Sequence, residues 1–173
     1  TTHSCHPPQC AACNLAKAKR TSINSRSTLP SADGSIRQND LNPGNCVLMD
    51  QIVCPQKGRT LTSAKPTITG GTVFVDHASS RITLVAQASA DAATTLVGKR
   101  ALEREAHNLG FKLRSFVADN GVFASTQFKD DIVRKGKEIH FSGVGAHHQN
   151  GVAERAIQTI SNLARAIDRK SVV

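Results

Sequence analysis

From Cys46 onward, the apolar residues of this chain change their spacing in an order that excludes most fold classes. Three short apolar runs come first, and the second and third flank a polar segment as the arms of a hairpin do. A long segment then repeats apolar side chains every three or four positions, which is typical of a helix with one buried face. One more strand, a short helix, a brief strand and a final helix follow. This order predicts a mixed α/β sheet flanked by helices, and it excludes an alternating doubly wound fold.

The ends of the predicted elements carry recognisable signals. Ser89 is expected to cap the long helix, with Asp91 in its first turn, and Gly110 is expected to end it. Residues 54–70 contain two prolines and two glycines, which favours a long connection or an open hairpin tip. Residues 142–149 are rich in glycine and histidine without periodicity, so we expect them to be mobile. The predicted strands are 46–53, 72–75, 82–86, 111–118 and 138–141, and the short helix is 125–135.

Composition limits the classes of function. The 173 residues suffice for one domain and a tail, and six Phe without Tyr or Trp leave a core built mainly from aliphatic side chains. No apolar stretch approaches the roughly 20 residues that cross a bilayer, so no membrane partner is expected. A net charge of +9 favours a polyanionic partner.

The first 45 residues differ from the rest. Residues 1–20 hold a small Cys/His cluster and a basic run, and residues 21–45, rich in Ser, Asn, Pro and Gly, are predicted to be a linker. Cys10 and Cys13 have the spacing of half a tetrahedral zinc site, although a lone C-x-x-C is equally compatible with free thiols. The start shows neither Met nor a leader pattern, so we expect no secretion signal and a longer polypeptide upstream.

Three carboxylates occupy positions that could bring them together. Asp50 lies inside an apolar strand, Asp119 follows a strand, and Glu154 opens the final helix. Converging carboxylates are what a pair of Mg²⁺ ions needs for phosphoryl transfer. Each acid alone has an ordinary explanation as a strand-edge charge, a turn residue or a helix-dipole partner. Asp76 closes another strand, so it is an alternative to Asp50 as the first of the three converging carboxylates.

The combination resembles the catalytic core of retroviral-type integrases. The resemblance lies in the strand-borne Asp50, the Asp-Asn-Gly sequence that starts at Asp119, and the Gln-Asn-Gly-Val-Ala-Glu-Arg sequence that contains Glu154. The last string is most similar to the copia-type retrotransposon branch. The resemblance implies a ribonuclease-H-like fold with a five-stranded mixed sheet over residues 46–173, preceded by an extended N-terminal segment. It also implies that residues 1–20 are the end of a zinc-binding region.

The same resemblance implies a chemistry and partners. Asp50, Asp119 and Glu154 would hold two Mg²⁺ (or Mn²⁺) ions for DNA 3′-end processing and strand transfer. Zn²⁺ would be bound near the N terminus of the full polyprotein. DNA and further copies of the chain are the expected partners, in a cytoplasmic particle first and in the nucleus at integration. The residues expected at the DNA are Asn120, Gln149, Asn150 and Arg155.

Two other functions stay open at this point. The chain could be a degenerate element fragment that binds DNA without catalysis, or a ribonuclease-H-like nuclease. A ribonuclease H would carry a fourth acid near its C terminus, and Asp168 lies too deep in the predicted helix to suit that role. His147 and His148 are interpreted as solvent-exposed loop residues.

Overall fold

The computed structural model describes residues 42–59, 65, 67–143 and 150–170. The predicted zinc-binding region, nearly all of the predicted linker, and residues 144–149 lie outside this part of the chain. Within it, the elements are strands β1 (Cys46–Gly58), β2 (Ile68–Asp76), β3 (Ile82–Gln87), β4 (Ser115–Ala118) and β5 (Glu138–Phe141), and helices α1 (Ala92–Asn108), α2 (Thr126–Arg134) and α3 (Gly151–Lys170).

The five strands form one mixed sheet, as the sequence predicts. Their spatial order is β3-β2-β1-β4-β5. The first three strands pair antiparallel, whereas β4 pairs parallel with β1 and β5 pairs parallel with β4. The carboxyl ends of β4 and β5 therefore lie at the level where β1 ends its pairing with β4, at Met49.

Two predicted strand boundaries are wrong. β1 continues through Gly58 and β2 begins at Ile68, so much of the predicted connection is a paired ribbon. The pairing shifts between Val53 and Gly58, where Pro55 offers no N–H to the ladder. The proline and glycines that suggested a loop are therefore accommodated inside a hairpin.

The third boundary error concerns β4, which starts at Ser115 and not at Phe111. The preceding residues form an irregular approach to the strand, where Arg114 donates its backbone N–H to the carbonyl of Gly44. The buried side chain of Leu113 gave this approach its strand-like apolar pattern.

The first turn of α1 differs from the prediction as well. Asp91 and not Ser89 is the N-cap, because its carboxylate accepts a hydrogen bond from the backbone N–H of Thr94. Ser89 instead hydrogen-bonds to that carboxylate. This network, with Ser89 as its largest contributor, lowers the pKa of Asp91.

The main hydrophobic core lies between one face of the sheet and helices α1 and α2. It also receives Phe123 from a 3-10 turn (Val122–Ala124). Phenylalanines occupy its centre, although the composition pointed to aliphatic side chains. The strand and helix side chains of this cluster include Val47, Met49, Phe74, Leu96, Ala106, Phe116, Ala118, Phe128 and Ile132.

One lysine of α1 is buried against this core. The side chain of Lys99 is 0% exposed, and its Nζ lies 2.7 Å from an oxygen of Asp131 and 2.8 Å from Glu103. It also lies over the rings of Phe116 and Phe128, 5.7 and 6.0 Å from their centroids. Because a buried charge is costly without a partner, this cluster ties α1 to α2.

The described residues up to Ile157 belong to one compact unit, and the rest of α3 belongs to a second unit. Residues 158–170 continue the helix, with Leu163 and Ile167 exposed on its surface. No helix in the described ranges has the length and apolar character needed to span a bilayer.

We predict that Asp131→Asn lowers the free energy of unfolding by about 3 kcal/mol, because it leaves the Lys99 ammonium buried without its closest counter-charge. Urea denaturation measures the change. Asp130→Asn is the matched control, since it removes the same charge from an exposed position on the same helix and should change stability by no more than about 0.5 kcal/mol. Equal losses in the two variants would contradict the buried ion pair.

Candidate active site

Two of the three predicted acids stand side by side at the carboxyl edge of the sheet. The last paired residues of the parallel strands β1 and β4 are Met49 and Ala118. Asp50 and Asp119 are the next residue on each strand, and neighbouring strands lie about 4.8 Å apart. Because side chains alternate along a strand and both Met49 and Ala118 point into the core, the two aspartates turn away from it.

The surroundings of Asp50 raise the pKa of its carboxyl. Its side chain is half-buried, and the backbone N–H of Gln51 donates to its Oδ1 at 2.8 Å. Burial raises the pKa of this carboxyl above its ordinary value, the Gln51 hydrogen bond opposes that, and the charges of Asp119 and Glu154 raise it further. The three carboxylates are therefore close enough to act on one another.

Asp119 is exposed at the start of a tight turn. Its Oδ1 accepts a weak hydrogen bond from the backbone N–H of Gly121, and the glycine leaves space for the carboxylate. Ser142, after β5, donates its backbone N–H to the carbonyl of Ala118, which holds the two strand ends together. Asn120 lies on the surface, and its amide is 3.5 Å from the carbonyl of Ser142. This turn presents the carboxylate at the sheet edge.

The start of α3 is fastened to the same edge by Asn150. Its side-chain amide donates to the carbonyl of Met49 at 3.2 Å, directly before Asp50. Asn150 is only 4% exposed, and Ala153, one residue before Glu154, is fully buried. Glu154 is exposed in the first turn of the helix, beside the buried stripe. The hydrogen bond from Asn150 therefore brings Glu154 to the strand-borne acids.

The residues predicted to contact DNA occupy different settings. Asn120 and Arg155 are exposed, while Asn150 is buried in the anchoring role just described, and Gln149 lies outside the described residues. Arg155 donates its Nε to the carbonyl of Gly151 and makes a further interaction. The anchoring role of Asn150 was missed because a glycine-flanked amide is typical of a turn.

Asp76, the competitor of Asp50, lies at the opposite edge of the sheet. Its carboxylate accepts hydrogen bonds from the backbone N–H of Gly44 and from the backbone N–H and hydroxyl of Ser79. These hydrogen bonds hold the turn that contains Ser79 and the segment that contains Gly44. Asp76 therefore has a structural role and stands apart from Asp119 and Glu154.

The other acids of α1 and α2 show what a structural carboxylate looks like in this protein. Asp131 contacts the side chains of Lys99, Arg100 and Arg134. Glu103 likewise contacts three lysines. By contrast, the charged side chains that act on Asp50 are the two like charges of Asp119 and Glu154.

The donor set fits a divalent cation of the Mg²⁺ type, which prefers carboxylate oxygens. Among the described residues, however, no three His, Cys, Asp or Glu side chains stand close enough to hold one ion as they are. Asp119 and Glu154 are exposed, so their side chains are free to rotate towards Asp50. A cation between them would offset the repulsion that raises the pKa of Asp50.

We predict that Asp50→Asn stabilises the fold at pH 7 by about 0.5–1 kcal/mol, because it removes a half-buried charge beside two like charges. The raised pKa means that the folded state binds this proton more tightly than the unfolded state does. The aspartate therefore costs stability increasingly as pH rises through its folded pKa, and the advantage of the variant should vanish below the ordinary pKa of 3.8.

Urea unfolding of both proteins across this pH range measures the effect. Asp76→Asn is the control of equal charge, and it should lose about 1–3 kcal/mol because its carboxylate is fully used in hydrogen bonds. A loss of stability in Asp50→Asn at pH 7 would show that Asp50 is a structural acid like Asp76.

Comparison with known proteins rests on structure alone. No family model and no curated protein matches the sequence. The catalytic core domain of HTLV-2 integrase in complex with magnesium is similar in a trimeric form (TM-score 0.50, 19% identity, 71% of this chain and 70% of that chain) and in a dimeric form (TM-score 0.51, 20% identity, 71% of each). The catalytic core domain of BIV integrase is similar with a TM-score of 0.51 and 16% identity over 69% of this chain and 68% of that chain.

Likeness at such low identity establishes the fold and leaves the activity to be argued from the site. The mixed five-stranded sheet with its three described helices is the ribonuclease-H-like fold of these integrase cores.

Proposed function

We propose that this chain carries the catalytic domain of a DNA integrase, a polynucleotidyl transferase of copia-type retrotransposon origin. One observation carries the proposal: the β1–β4 register and the hydrogen bond from Asn150 to the Met49 carbonyl bring Asp50, Asp119 and Glu154 to one edge of an integrase-like sheet. Like charges brought together cost stability, so their presence favours a functional explanation.

The acids have distinct parts in this proposal. Asp50, between the other two, would be shared by two Mg²⁺ or Mn²⁺ ions, while Asp119 and Glu154 would each hold one. When bound, such ions activate an attacking oxygen and stabilise a leaving oxygen in phosphoryl transfer. In strand transfer, the 3′-oxygen of one DNA end forms a new bond to phosphorus and a target 3′-oxygen leaves. In 3′-end processing, water is the attacking group.

The remaining residues position these acids and the DNA. Asn150 anchors α3 through the Met49 carbonyl and so fixes the backbone that carries Glu154. Asn120 and Arg155 are exposed next to two of the acids, where an amide and a guanidinium suit phosphate oxygens. We place Gln149 in the same DNA-contacting group because it directly precedes the anchor. Asn120, Gln149 and Arg155 would orient DNA, Asn150 positions the helix, and none of the four takes part in proton or phosphoryl transfer.

Partners and location follow from the same proposal. The net charge of +9 suits DNA. Self-association is proposed because the similar HTLV-2 cores occur in a dimeric and a trimeric form. We further propose that residues 1–20 are the end of a zinc-binding region with Cys10 and Cys13 as ligands, that residues 21–45 are a linker, and that integration takes place in the nucleus.

We predict that Asp119→Asn and Glu154→Gln each reduce DNA joining at least about a hundredfold, a loss of roughly 2.7 kcal/mol in transition-state stabilisation. A disintegration assay with branched DNA and Mn²⁺ measures joining, and anisotropy of labelled DNA measures binding. Binding should persist, because neither acid provides attraction for phosphates. Asp130→Asn is the matched control, since it removes an exposed acid from α2 and should join DNA like the parent chain.

Each other outcome decides against the proposal. Joining by Asp119→Asn near the parent rate would remove this acid from the chemistry. Binding without joining by the parent chain, with either Mg²⁺ or Mn²⁺, would favour the inactive DNA-binding fragment. Cleavage of the RNA strand of an RNA–DNA hybrid without DNA joining would favour a ribonuclease-H-like nuclease.

A further inference from the structure

A second charged surface lies far from the three acids. Two adjacent depressions of about 470 and 310 Å³ share Glu103, His107 and Lys135, so they form one continuous groove. We call it the basic groove. Its walls come from the second half of α1, the approach to β4, and the turn that leads from α2 into β5. The charged residues that line it are Arg100, Glu103, Arg104, His107, Lys112, Arg114, Lys135 and Lys137.

The charge of this groove is strongly one-sided. Its lining contains six lysines and arginines and a single carboxylate, Glu103. Burial alone would raise the pKa of Glu103, but hydrogen bonds from Lys135, Lys137 and Lys99 lower it to about 2. Glu103 is therefore ionised at neutral pH and engaged with lysines. It cannot neutralise the remaining cations of the groove.

Three of those cations have no acidic partner among the described residues. Arg104, Lys112 and Arg114 are exposed, and none of them forms an ion pair within the described ranges. The lysines beside them are held in place, because Lys135 and Lys137 each lie 2.6 Å from an oxygen of Glu103. The groove thus combines fixed and available positive charges.

The groove occupies the opposite edge of the sheet from the acids. Lys112 and Arg114 precede β4, whereas Asp119 follows it. Lys135 and Lys137 precede β5, which runs parallel to β4. The four residues of β4 therefore place the groove and the acids at opposite ends of that strand. The groove is a separate surface.

We propose that the basic groove binds the phosphodiester backbone of duplex DNA independently of the acid site. Guanidinium groups suit phosphate oxygens because they offer paired donors in one plane. An acidic protein segment would bring carboxylates of the same charge, and the competition experiment below distinguishes it from DNA. The choice of DNA over other polyanions rests on the proposed function.

The test measures DNA binding without divalent metal, so it is independent of catalysis. Anisotropy of a labelled 30-base-pair duplex (roughly three turns of DNA) is followed with increasing salt for the full 173-residue chain. Arg104→Glu and Arg114→Glu are each compared with Lys129→Glu, which makes the same charge change on an exposed site of α2 outside the groove. Thermal melting checks that every variant is folded, and Arg104→Gln serves as a milder variant.

Each groove variant should weaken binding roughly tenfold near 0.1 M salt and reduce the slope of log K against log salt by about 1. Lys129→Glu should retain most of the affinity. If Lys129→Glu lost as much DNA affinity as the groove variants, binding would depend on the net charge of the protein and not on the groove, and the proposal would be overturned. Competition by polyglutamate as effective as that by unlabelled DNA would overturn it in favour of an acidic protein partner. If joining fails while these binding results hold, only the proposed catalytic function is lost.

Discussion

The parallel pairing of β1 with β4 is the constraint on which the rest of this site depends. It sets Met49 opposite Ala118, and so it places the next residue of each strand, Asp50 and Asp119, side by side at one edge. The hydrophobic core stabilises this pairing, because Met49 and Ala118 both pack into it. Moving either strand by one residue in this register would turn that strand's acid into the core and its core side chain outward.

The carboxylates of this protein occupy two contrasting electrostatic environments. Around Lys99, carboxylates are buried with cations in close contact, and the pKa of Asp131 is held well below its usual range despite the burial that opposes this. At the sheet edge, burial and the like charges of Asp119 and Glu154 raise the pKa of Asp50. The first arrangement stabilises the packing of α1 on α2. The second is unfavourable for folding and suited to a cation.

Sequence patterns predict this architecture where the signal is local. The order of strands and helices along the chain, the long helix between β3 and β4, and the positions of the strand-end acids follow from apolar spacing and turn residues. Predicted boundaries are wrong where two local signals compete. Ser89 and Asp91 are both suitable N-caps, and the structure uses Asp91. For residues 54–70 the sequence left a long connection and a hairpin tip as alternatives, because Pro55 is typical of a loop until its partner strand is known.

Contacts between distant parts of the chain lie beyond such patterns. Asn150 and Met49 are 101 positions apart, so no local signal foretells that the amide anchors α3 at the carbonyl before Asp50. Lys99 reads as an ordinary helix-surface charge, and its burial becomes evident only when α2 packs against it. The basic groove likewise arises from three segments that meet only in the folded chain.

The central claim is that Asp50, Asp119 and Glu154 together hold divalent metal. Anomalous diffraction from crystals soaked in Mn²⁺ tests it most directly, because the signal locates the ion without regard to activity. We expect a peak between Asp50 and Asp119, within about 2.2 Å of their carboxylate oxygens, and a contact from Glu154 to this or a second ion. Manganese bound only elsewhere on the chain, with the three acids free of metal, would contradict it.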